Sequence, residues 1–348
     1  MSWITRESFP AGRAARGLLL ISPDGEVVAP LDATSMAAAQ ELAADTLKAA
    51  GLGTSDRVVV ALNNDGEGTG TLLAQAAASV AAAAGSVGAR GRLRLHTALE
   101  RVRATTLVTT PSGAMDFLAR LHLEFLLDPL DLELKHIFLV GEVASPGALS
   151  QLAGEFEASV VELYADPFYG VPIATRTAAA KVLTPVRDGL LGLAPLDKDA
   201  LLEAPYSEGL AELIVMLPWS SPLRTGQVVR TVADGIPAPA HTVGEHVLIR
   251  GRWISIPKVA AALTRIDGLS RWDLRISHKG TLDSAVLHVS FKRDTLVRNP
   301  MWKGRIQQAL AALTPVSIDV EVHPEVVEVS MPGTVTDLRD QHLGRNRL

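Results

Sequence analysis

The stretch Arg103–Leu121 reads RATTLVTTPSGAMDFLARL and contains the strand-to-helix step that decides the fold. Ala104–Thr110 is rich in β-branched residues and predicts a buried strand, whereas Pro111–Leu127 predicts a helix. Pro111 suits the first turn of that helix, because the N–H group that proline lacks would have no helical partner there. The stretch therefore predicts one β–α unit in the first half of the chain.

The same alternation continues on both sides of this unit. Further strands are predicted at Arg57–Leu62, Leu134–Val140 and Ser159–Tyr164, with helices at Thr69–Ala84 and Ser145–Phe156. Strands that alternate with helices of about ten to fifteen residues predict right-handed crossovers. We therefore expect a largely parallel sheet in an α/β domain.

The pattern changes beyond residue 175, where proline and glycine become frequent and Ala211–Leu217 is the clearest strand. A compact unit begins near residue 241. Its predicted helices and strands are Pro257–Ile266, Asp273–Ser277, Ala285–Phe291, Pro300–Leu313 and Val316–Val322. This order is typical of a small ferredoxin-like α+β domain. We expect two domains, residues 1–240 and 241–348.

Composition excludes several classes of function. The 348 residues are 47% hydrophobic and 20% charged, with a net charge of −5 and no basic run, so no nucleic-acid partner is expected. Cysteine is absent, which excludes disulfides and thiolate chemistry. No segment approaches the roughly 18 apolar residues of a membrane span, and no signal peptide is evident, so a cytoplasmic protein is expected. The nine histidines form no metal-ligand pair, and no metal site is predicted.

Several stretches resemble phenylacetate–CoA ligases and other adenylate-forming ligases, in the same order and at nearly the same spacing. Besides Arg103–Leu121 they are LKHIFLVGE at 134–142, VVELY at 160–164 followed by Gly170, AELIVMLPWSSPLRTGQVVR at 211–230, IRGRWISIPKVAAAL at 249–263 and PGTVTDLR at 332–339. The chain is identified as a shortened member of this superfamily. The resemblance implies the adenylate-forming ligase fold, with a large α/β domain followed by a small ferredoxin-like domain.

The family's phosphate-binding loop is rich in Ser, Thr and Gly. It aligns with Ile21–Val28, ISPDGEVV, where only Ser22 and Gly25 remain. Pro23 removes a backbone donor, and the neighbouring acids bring negative charge towards an anion. A Pro-Asp-Gly sequence between apolar runs instead predicts the tight turn of a hairpin.

The family's tyrosine–glycine–x–Ser/Thr–glutamate motif aligns with Tyr164–Phe168. Tyr164 remains, but apolar Phe168 stands where the Mg²⁺-linked glutamate belongs. Asp166 has two interpretations: it supplies a displaced carboxylate, or it begins a turn before Pro167.

The aspartate that grips the ribose in the family aligns with Gln227, which can hydrogen-bond a hydroxyl but carries no charge. Arg224 is either an anion hook or an ion-paired arginine at a strand end. The family's late lysine has no counterpart, since Pro332–Leu348 contains none, and Arg339 is expected to have a structural role. The resemblance therefore implies that ATP and Mg²⁺ are not cofactors here.

The resemblance assigns an acyl-substrate pocket to Tyr164, Tyr169, Ser112, Gly141 and Glu142. Ser112 lies at a strand-to-helix turn, as nucleophilic serines do, but it lacks the Gly-x-Ser-x-Gly frame. The loop 63–68 is a ligand loop or a surface loop. Apolar residues are compatible with a pocket for an aromatic or alkyl acid and equally with core packing: Val59, Leu107, Val140 and Tyr164.

Three functions follow as hypotheses. The leading one is a ligase-fold protein that has lost adenylation and keeps a pocket for an acyl substrate, for CoA or for a pantetheine thioester on an acyl carrier. The second is an active, divergent carboxylate–CoA or amide ligase that uses Asp166, Gln227 and Arg224. The third is a non-catalytic partner of a biosynthetic enzyme. A homodimer is an open possibility, because relatives are often dimeric.

Overall fold

In the computed structural model, structure is described for residues 3–9, 12, 15–22, 25–63, 69–142, 144–279 and 282–345. The chain divides into two compact units, Met1–Ala240 and His241–Arg347. Within the described ranges, no helix is both long and apolar enough to span a membrane.

The first unit contains thirteen strands and five α-helices among its described residues. The strands are β1 (Leu18–Ile21), β2 (Val28–Leu31), β3 (Arg57–Val60), β4 (Ala83–Ser86), β5 (Thr106–Thr109), β6 (His136–Val140), β7 (Ser159–Ala165), β8 (Pro172–Thr177), β9 (Val182–Pro185), β10 (Leu191–Ala194), β11 (Leu210–Val215), β12 (Leu223–Arg230) and β13 (Ile236–Pro237). The helices are α1 (Ala33–Ala49), α2 (Thr69–Val80), α3 (Arg92–Val102), α4 (Pro111–Arg120) and α5 (Pro146–Phe156).

The main sheet has eight strands in the order β13-β9-β8-β7-β6-β5-β3-β4. Strands β4, β3, β5, β6 and β7 are parallel, and β8, β9 and β13 extend the sheet antiparallel. From β3 the chain moves outward to β4 and then returns to the other side of β3 to form β5. The strand order therefore reverses between β3 and β5, and ligand sites of open α/β sheets lie at the carboxyl ends of such strands.

The predicted elements of this unit are present, with two differences. The alanine-rich helix ends at Val80, and Ala83–Ser86 becomes the edge strand β4 through parallel pairing with β3. Helix α4 ends at Arg120 and continues as one π-helical turn, Leu121–Phe125. Both differences concern the ends of elements, where neighbouring strands and turns outweigh local propensity.

The apolar candidates of the pocket lie on opposite faces of the sheet. Val59 and Leu107 pack into the core beneath α3, α4 and α5, whereas Val140 and Tyr164 belong to the core beneath α1 and α2. Side chains alternate across a strand, and this separates the two sets. Both sets serve core packing.

The second unit is a small α+β domain. Its strands are β14 (His241–Thr242), β15 (His246–Ile249), β16 (Arg252–Ser255), β17 (Leu269–Lys279), β18 (Leu282–Phe291), β19 (Ile318–Val322) and β20 (Thr334–Asp337), and its helices are α6 (Ile256–Thr264), α7 (Asp294–Val297) and α8 (Met301–Ala311). The sheet order is β19-β18-β17-β20, and β19 and β20 pair in parallel with their neighbours. Helices α6 and α8 cover its apolar core.

Candidate functional site

The position of the family's phosphate loop is a hairpin, as predicted. Strand β1 pairs antiparallel with β2 up to the pair Ile21 and Val28. The Ser22 Oγ accepts a hydrogen bond from the Val27 N–H at 2.9 Å, and the Gly25 N–H donates to the Ser22 carbonyl at 2.8 Å. Residues 23 and 24 lie outside the described structure. Ser22 and Gly25 therefore support a turn.

Asp166 is the centre of the turn that follows β7. Its Oδ1 accepts hydrogen bonds from the N–H groups of Phe168 and Tyr169 at 3.0 and 2.7 Å, and its Oδ2 accepts from Val171 at 2.8 Å. Burial raises the pKa of this carboxyl group to about 6, although these donors act in the opposite direction. The predicted turn before Pro167 is confirmed. Asp166 is only 1% exposed, and its carboxylate is held by the backbone N–H groups of the residues that follow it.

Tyr164 and Gln227 are brought together by β7 and β12. The tyrosine hydroxyl donates to the Gln227 Oε1 at 2.7 Å, and both side chains are buried. Burial, assisted by the nearby Asp166 charge, holds the pKa of the Tyr164 hydroxyl well above its usual range. The amide oxygen at the position of the family's ribose-gripping aspartate therefore already accepts one hydrogen bond from the protein itself.

Arg224 is a buried, ion-paired arginine at the beginning of β12. Its Nε donates to Asp199 at 2.7 Å and its Nη1 to Glu212 at 2.5 Å. Its Nη2 donates to the carbonyl oxygens of Pro195 and Lys198. Glu212 is fully buried and also accepts from the Gly226 N–H at 2.8 Å. All three guanidinium nitrogens are engaged by the protein.

Three of the residues that the resemblance assigns to the acyl pocket, Ser112, Gly141 and Glu142, meet at the carboxyl ends of β5 and β6. The Ser112 N–H and Oγ donate to the two Glu142 carboxylate oxygens at 2.8 and 2.6 Å. The Thr110 Oγ1 caps the same first turn of α4 by accepting from the Gly113 N–H. Gly141 has a φ of +87°, which favours glycine. A carboxylate thus occupies the helix N-terminus at which an anionic ligand would bind.

One part of the site was not predicted from the sequence: residues Trp3–Phe9, which we call the cover segment. Its Ile4 exchanges backbone hydrogen bonds with residues flanking Leu223. Phe9 stacks on Phe168 with ring centroids 5.3 Å apart, and the Arg6 guanidinium lies 5.1 Å above the same Phe168 ring. The only signal in the sequence was two aromatic residues close together, Trp3 and Phe9, in a chain that is only 4% aromatic.

Other positions carry structural roles. Arg339 in the second unit binds Asp337 through Nε and Nη2, each at 2.8 Å, and also contacts Asp283. Across the described ranges, no group of three or more acidic or histidine side chains is arranged to hold a metal ion. Residues 64–68 of the candidate ligand loop lie outside the described structure.

Solved structures resemble this chain closely in fold, although no protein-family model and no curated protein sequence matches it. A 2-hydroxyisobutyryl-CoA ligase in complex with 2-HIB-AMP and CoA has a TM-score of 0.74 at 17% identity, covering 90% of this chain and 72% of the ligase. A malonyl-CoA ligase with methylmalonyl-CoA and AMP bound has a TM-score of 0.64 at 15% identity, covering 86% and 68%.

An amide bond synthetase, McbA from Marinactinospora thermotolerans, gives a TM-score of 0.64 at 15% identity, covering 92% of this chain and 64% of the synthetase. These neighbours share an architecture with the chain at low sequence identity. The predicted fold is confirmed: the chain has the fold of the adenylate-forming ligases.

Proposed function

We propose that this chain is an acyl-binding protein on the ligase fold that no longer forms acyl adenylates. One observation carries the proposal: Asp166, Arg224 and Gln227 all bond to the protein's own atoms. These are the polar groups at the family's nucleotide positions. To bind ATP they would have to leave buried partners, and an unpaired buried group costs about 1–3 kcal/mol, more when charged.

The charge balance at these positions supports the same conclusion. Adenylation needs an acid for Mg²⁺ and a cation for the developing phosphoryl charge. Phe168, at the position of the Mg²⁺-binding glutamate, is a buried aromatic ring. The positive charge of Arg224 is neutralised by Asp199 and Glu212. The site therefore offers neither charge in a form that Mg·ATP can use.

The retained fold suggests the ligand. The neighbouring structures are two CoA ligases, one in complex with 2-HIB-AMP and CoA and one with methylmalonyl-CoA and AMP bound, together with an amide bond synthetase. We propose that the ligand here is an acyl group, free or carried as a CoA or pantetheine thioester. Binding, or acyl transfer that needs no ATP, is the proposed activity, and the proposed partner is an acyl carrier or an enzyme that supplies the acyl group.

Calorimetric titration of the full chain with Mg·ATP, and separately with AMP, tests the loss of adenylation. We expect no saturable heat up to millimolar nucleotide. Pyrophosphate release with any member of a carboxylic acid panel would overturn the proposal and favour a divergent active ligase. The same protein is then titrated with acyl-CoA and with carrier-protein thioesters. Saturable binding supports the acyl role, whereas co-purification with a synthase and no small-molecule binding would favour a purely structural role.

A further inference from the structure

The cover segment, Trp3–Phe9, lies across the turn after β7 and the beginning of β12. The Ile4 N–H donates to the Pro222 carbonyl at 2.9 Å, and the Arg224 N–H donates to the Ile4 carbonyl at 2.8 Å. Arg6 donates to the Pro167 carbonyl at 2.8 Å. The Trp3 ring lies 5.3 Å from the Arg224 guanidinium. Short stretches of this kind, held by few backbone bonds, open at lower free energy than the sheet beneath them.

Four aromatic rings form a continuous row beneath and within this segment. Phe168 stacks on Phe9 at 5.3 Å, Phe9 meets Tyr169 at 6.1 Å, and Tyr169 meets Trp219 edge-to-face at 6.0 Å. We call this row the aromatic ladder. It gathers four of the fifteen aromatic residues of the chain. Phe168 and Tyr169 belong to the turn after β7, Trp219 belongs to the loop between β11 and β12, and only Phe9 comes from the cover segment.

Trp219, at one end of the ladder, and the next residue, Ser220, each carry a buried polar atom that lacks a partner among the described residues. The Trp219 Nε1 and the Ser220 Oγ have no hydrogen-bond partner among the residues that the structure describes. Both lie in the loop between β11 and β12. Buried donors are nearly always satisfied in folded proteins, so an unsatisfied pair calls for an explanation. A ligand oxygen that accepts from these groups would supply one.

The charges around the ladder indicate the kind of oxygen. The elements that carry the ladder and the cover segment bond to two cations, Arg6 and Arg224, while Asp166 bonds to the ladder's own turn and Asp199 and Glu212 pair with Arg224. With the acids in excess of the cations, a further carboxylate would bind unfavourably in a buried site. A neutral carbonyl oxygen accepts from an indole N–H or a hydroxyl without that penalty.

We propose that the aromatic ladder is a binding site for a flat aromatic carbonyl compound, such as an aryl amide or thioester, and that the cover segment closes it. The carbonyl oxygen accepts from the Trp219 N–H and the Ser220 hydroxyl, and the aromatic ring takes the place of Phe9 against Tyr169 and Phe168. In the closed state Phe9 competes with the ligand. The choice of an acyl compound rests on the proposed function, whereas the site itself rests on the ladder and its unpaired donors.

The test titrates the full chain with 2-naphthamide and follows binding by ligand-observed NMR. We expect saturable binding at roughly millimolar affinity or tighter, as is typical of a ligand of this size. Naphthalene-2-carboxylate, which has the same shape and a negative charge, is expected to bind at least about tenfold more weakly. Equal binding of the amide and the carboxylate would overturn the choice of a neutral acceptor.

Variants locate the site. Trp219→Phe and Ser220→Ala each remove one donor and should weaken 2-naphthamide binding by roughly three- to tenfold. Trp302→Phe is the matched control, because the Trp302 Nε1 is also buried without a partner, in the second unit, and its loss should leave binding unchanged. Equal effects of the Trp219→Phe and Trp302→Phe changes would overturn the assignment.

Phe9→Ala removes the competing ring and should tighten 2-naphthamide binding by roughly fivefold, because more of the protein is then open to the ligand. Absence of binding to both the wild type and Phe9→Ala would overturn this inference while leaving the loss of adenylation untouched. Binding of Mg·ATP would overturn the proposed loss of adenylation and would leave the ladder site standing.

Discussion

The Tyr164 hydroxyl, on β7, donates a 2.7 Å hydrogen bond to the amide oxygen of Gln227, on β12. Both residues align with motifs that handle the nucleotide in the ligase family. In this chain the two side chains bond to one another, and the bond ties the main sheet to a second sheet, in which β11 pairs antiparallel with β10 and β12. A pair of positions that serves a ligand in the family thus serves the fold here.

Tyr164→Phe should destabilise the protein by about 1–3 kcal/mol, because it leaves the buried Gln227 oxygen without a donor. Urea unfolding measures the change. A double-mutant cycle with Gln227→Leu should give a coupling of about 1 kcal/mol, since the two side chains bond directly. Zero coupling would mean that the hydrogen bond adds nothing to stability.

Asp166 predicts a pH dependence of stability. Its pKa is raised from 3.8 to about 6 by burial, so the folded state binds the proton more tightly than the unfolded state does. Stability from this group is therefore present below pH 4 and is lost as the pH rises towards 6, by about 3 kcal/mol in total. Unfolding free energies from pH 4 to 7 should fall in the wild type relative to Asp166→Asn. If the difference in unfolding free energy between the wild type and Asp166→Asn stays constant with pH, or grows as the pH rises, then the backbone N–H donors outweigh burial in setting the pKa of Asp166.

Arg224→Lys should cost about 3–5 kcal/mol in unfolding free energy. A lysine keeps the positive charge but cannot reproduce the forked contacts to Asp199 and Glu212, so the fully buried Glu212 would lose the short hydrogen bond from the arginine Nη1. Arg187→Lys is the matched control, because Arg187 also pairs with two acids, Glu41 and Asp45, but is 42% exposed. That change should cost less than about 1 kcal/mol. Similar losses in the two variants would refute a special role for the buried cluster.

Alanine substitutions at two glycines distinguish the cost of a steric clash from the cost of backbone strain. Gly170 has a φ of +70°, and an added Cβ would lie 2.0 Å from the Thr69 Oγ1, whereas Gly141 has a φ of +87° and open space around it. Gly141→Ala should cost about 1–2 kcal/mol from strain alone. Gly170→Ala should cost clearly more, because the turn that holds Asp166 must also shift. Thermal or urea unfolding of the two variants compares them, and equal losses would mean that Thr69 moves aside freely.

Local patterns in the sequence were enough to predict four parallel strands of the main sheet, β3, β5, β6 and β7, and the helices α2, α4 and α5, but not α1 or α3. The buried strands at Arg57–Val60 and His136–Val140 follow from β-branched and apolar runs, and the turn at Asp166 follows from Asp-Pro chemistry. Strand β4 was missed because Ala83–Ser86 carries no strand signal and forms only by pairing with β3. That pairing is a tertiary contact, which propensity alone does not predict.

The candidate site was predicted less completely. Motif alignment identified the positions of Asp166, Arg224 and Gln227, but their partners lie on other elements. Glu212 precedes Arg224 by twelve residues on the neighbouring strand, and Phe9 meets Phe168 across more than 150 residues of chain. Contacts of this separation leave no periodic trace in a single sequence. The hydrogen-bond and ion-pair partners of these polar groups were therefore seen only in the structure.

The cover segment has a consequence for biosynthesis. Ribosomes add about 5–20 residues per second, so the partners of Trp3–Phe9, which end at Arg224, emerge roughly 10–40 seconds after the segment itself. Trp3–Phe9 can therefore dock only after a much later part of the chain has been made. During that interval Trp3–Phe9 stays undocked, and it can close over the ladder only once Trp219, the last of the rings to be made, has emerged.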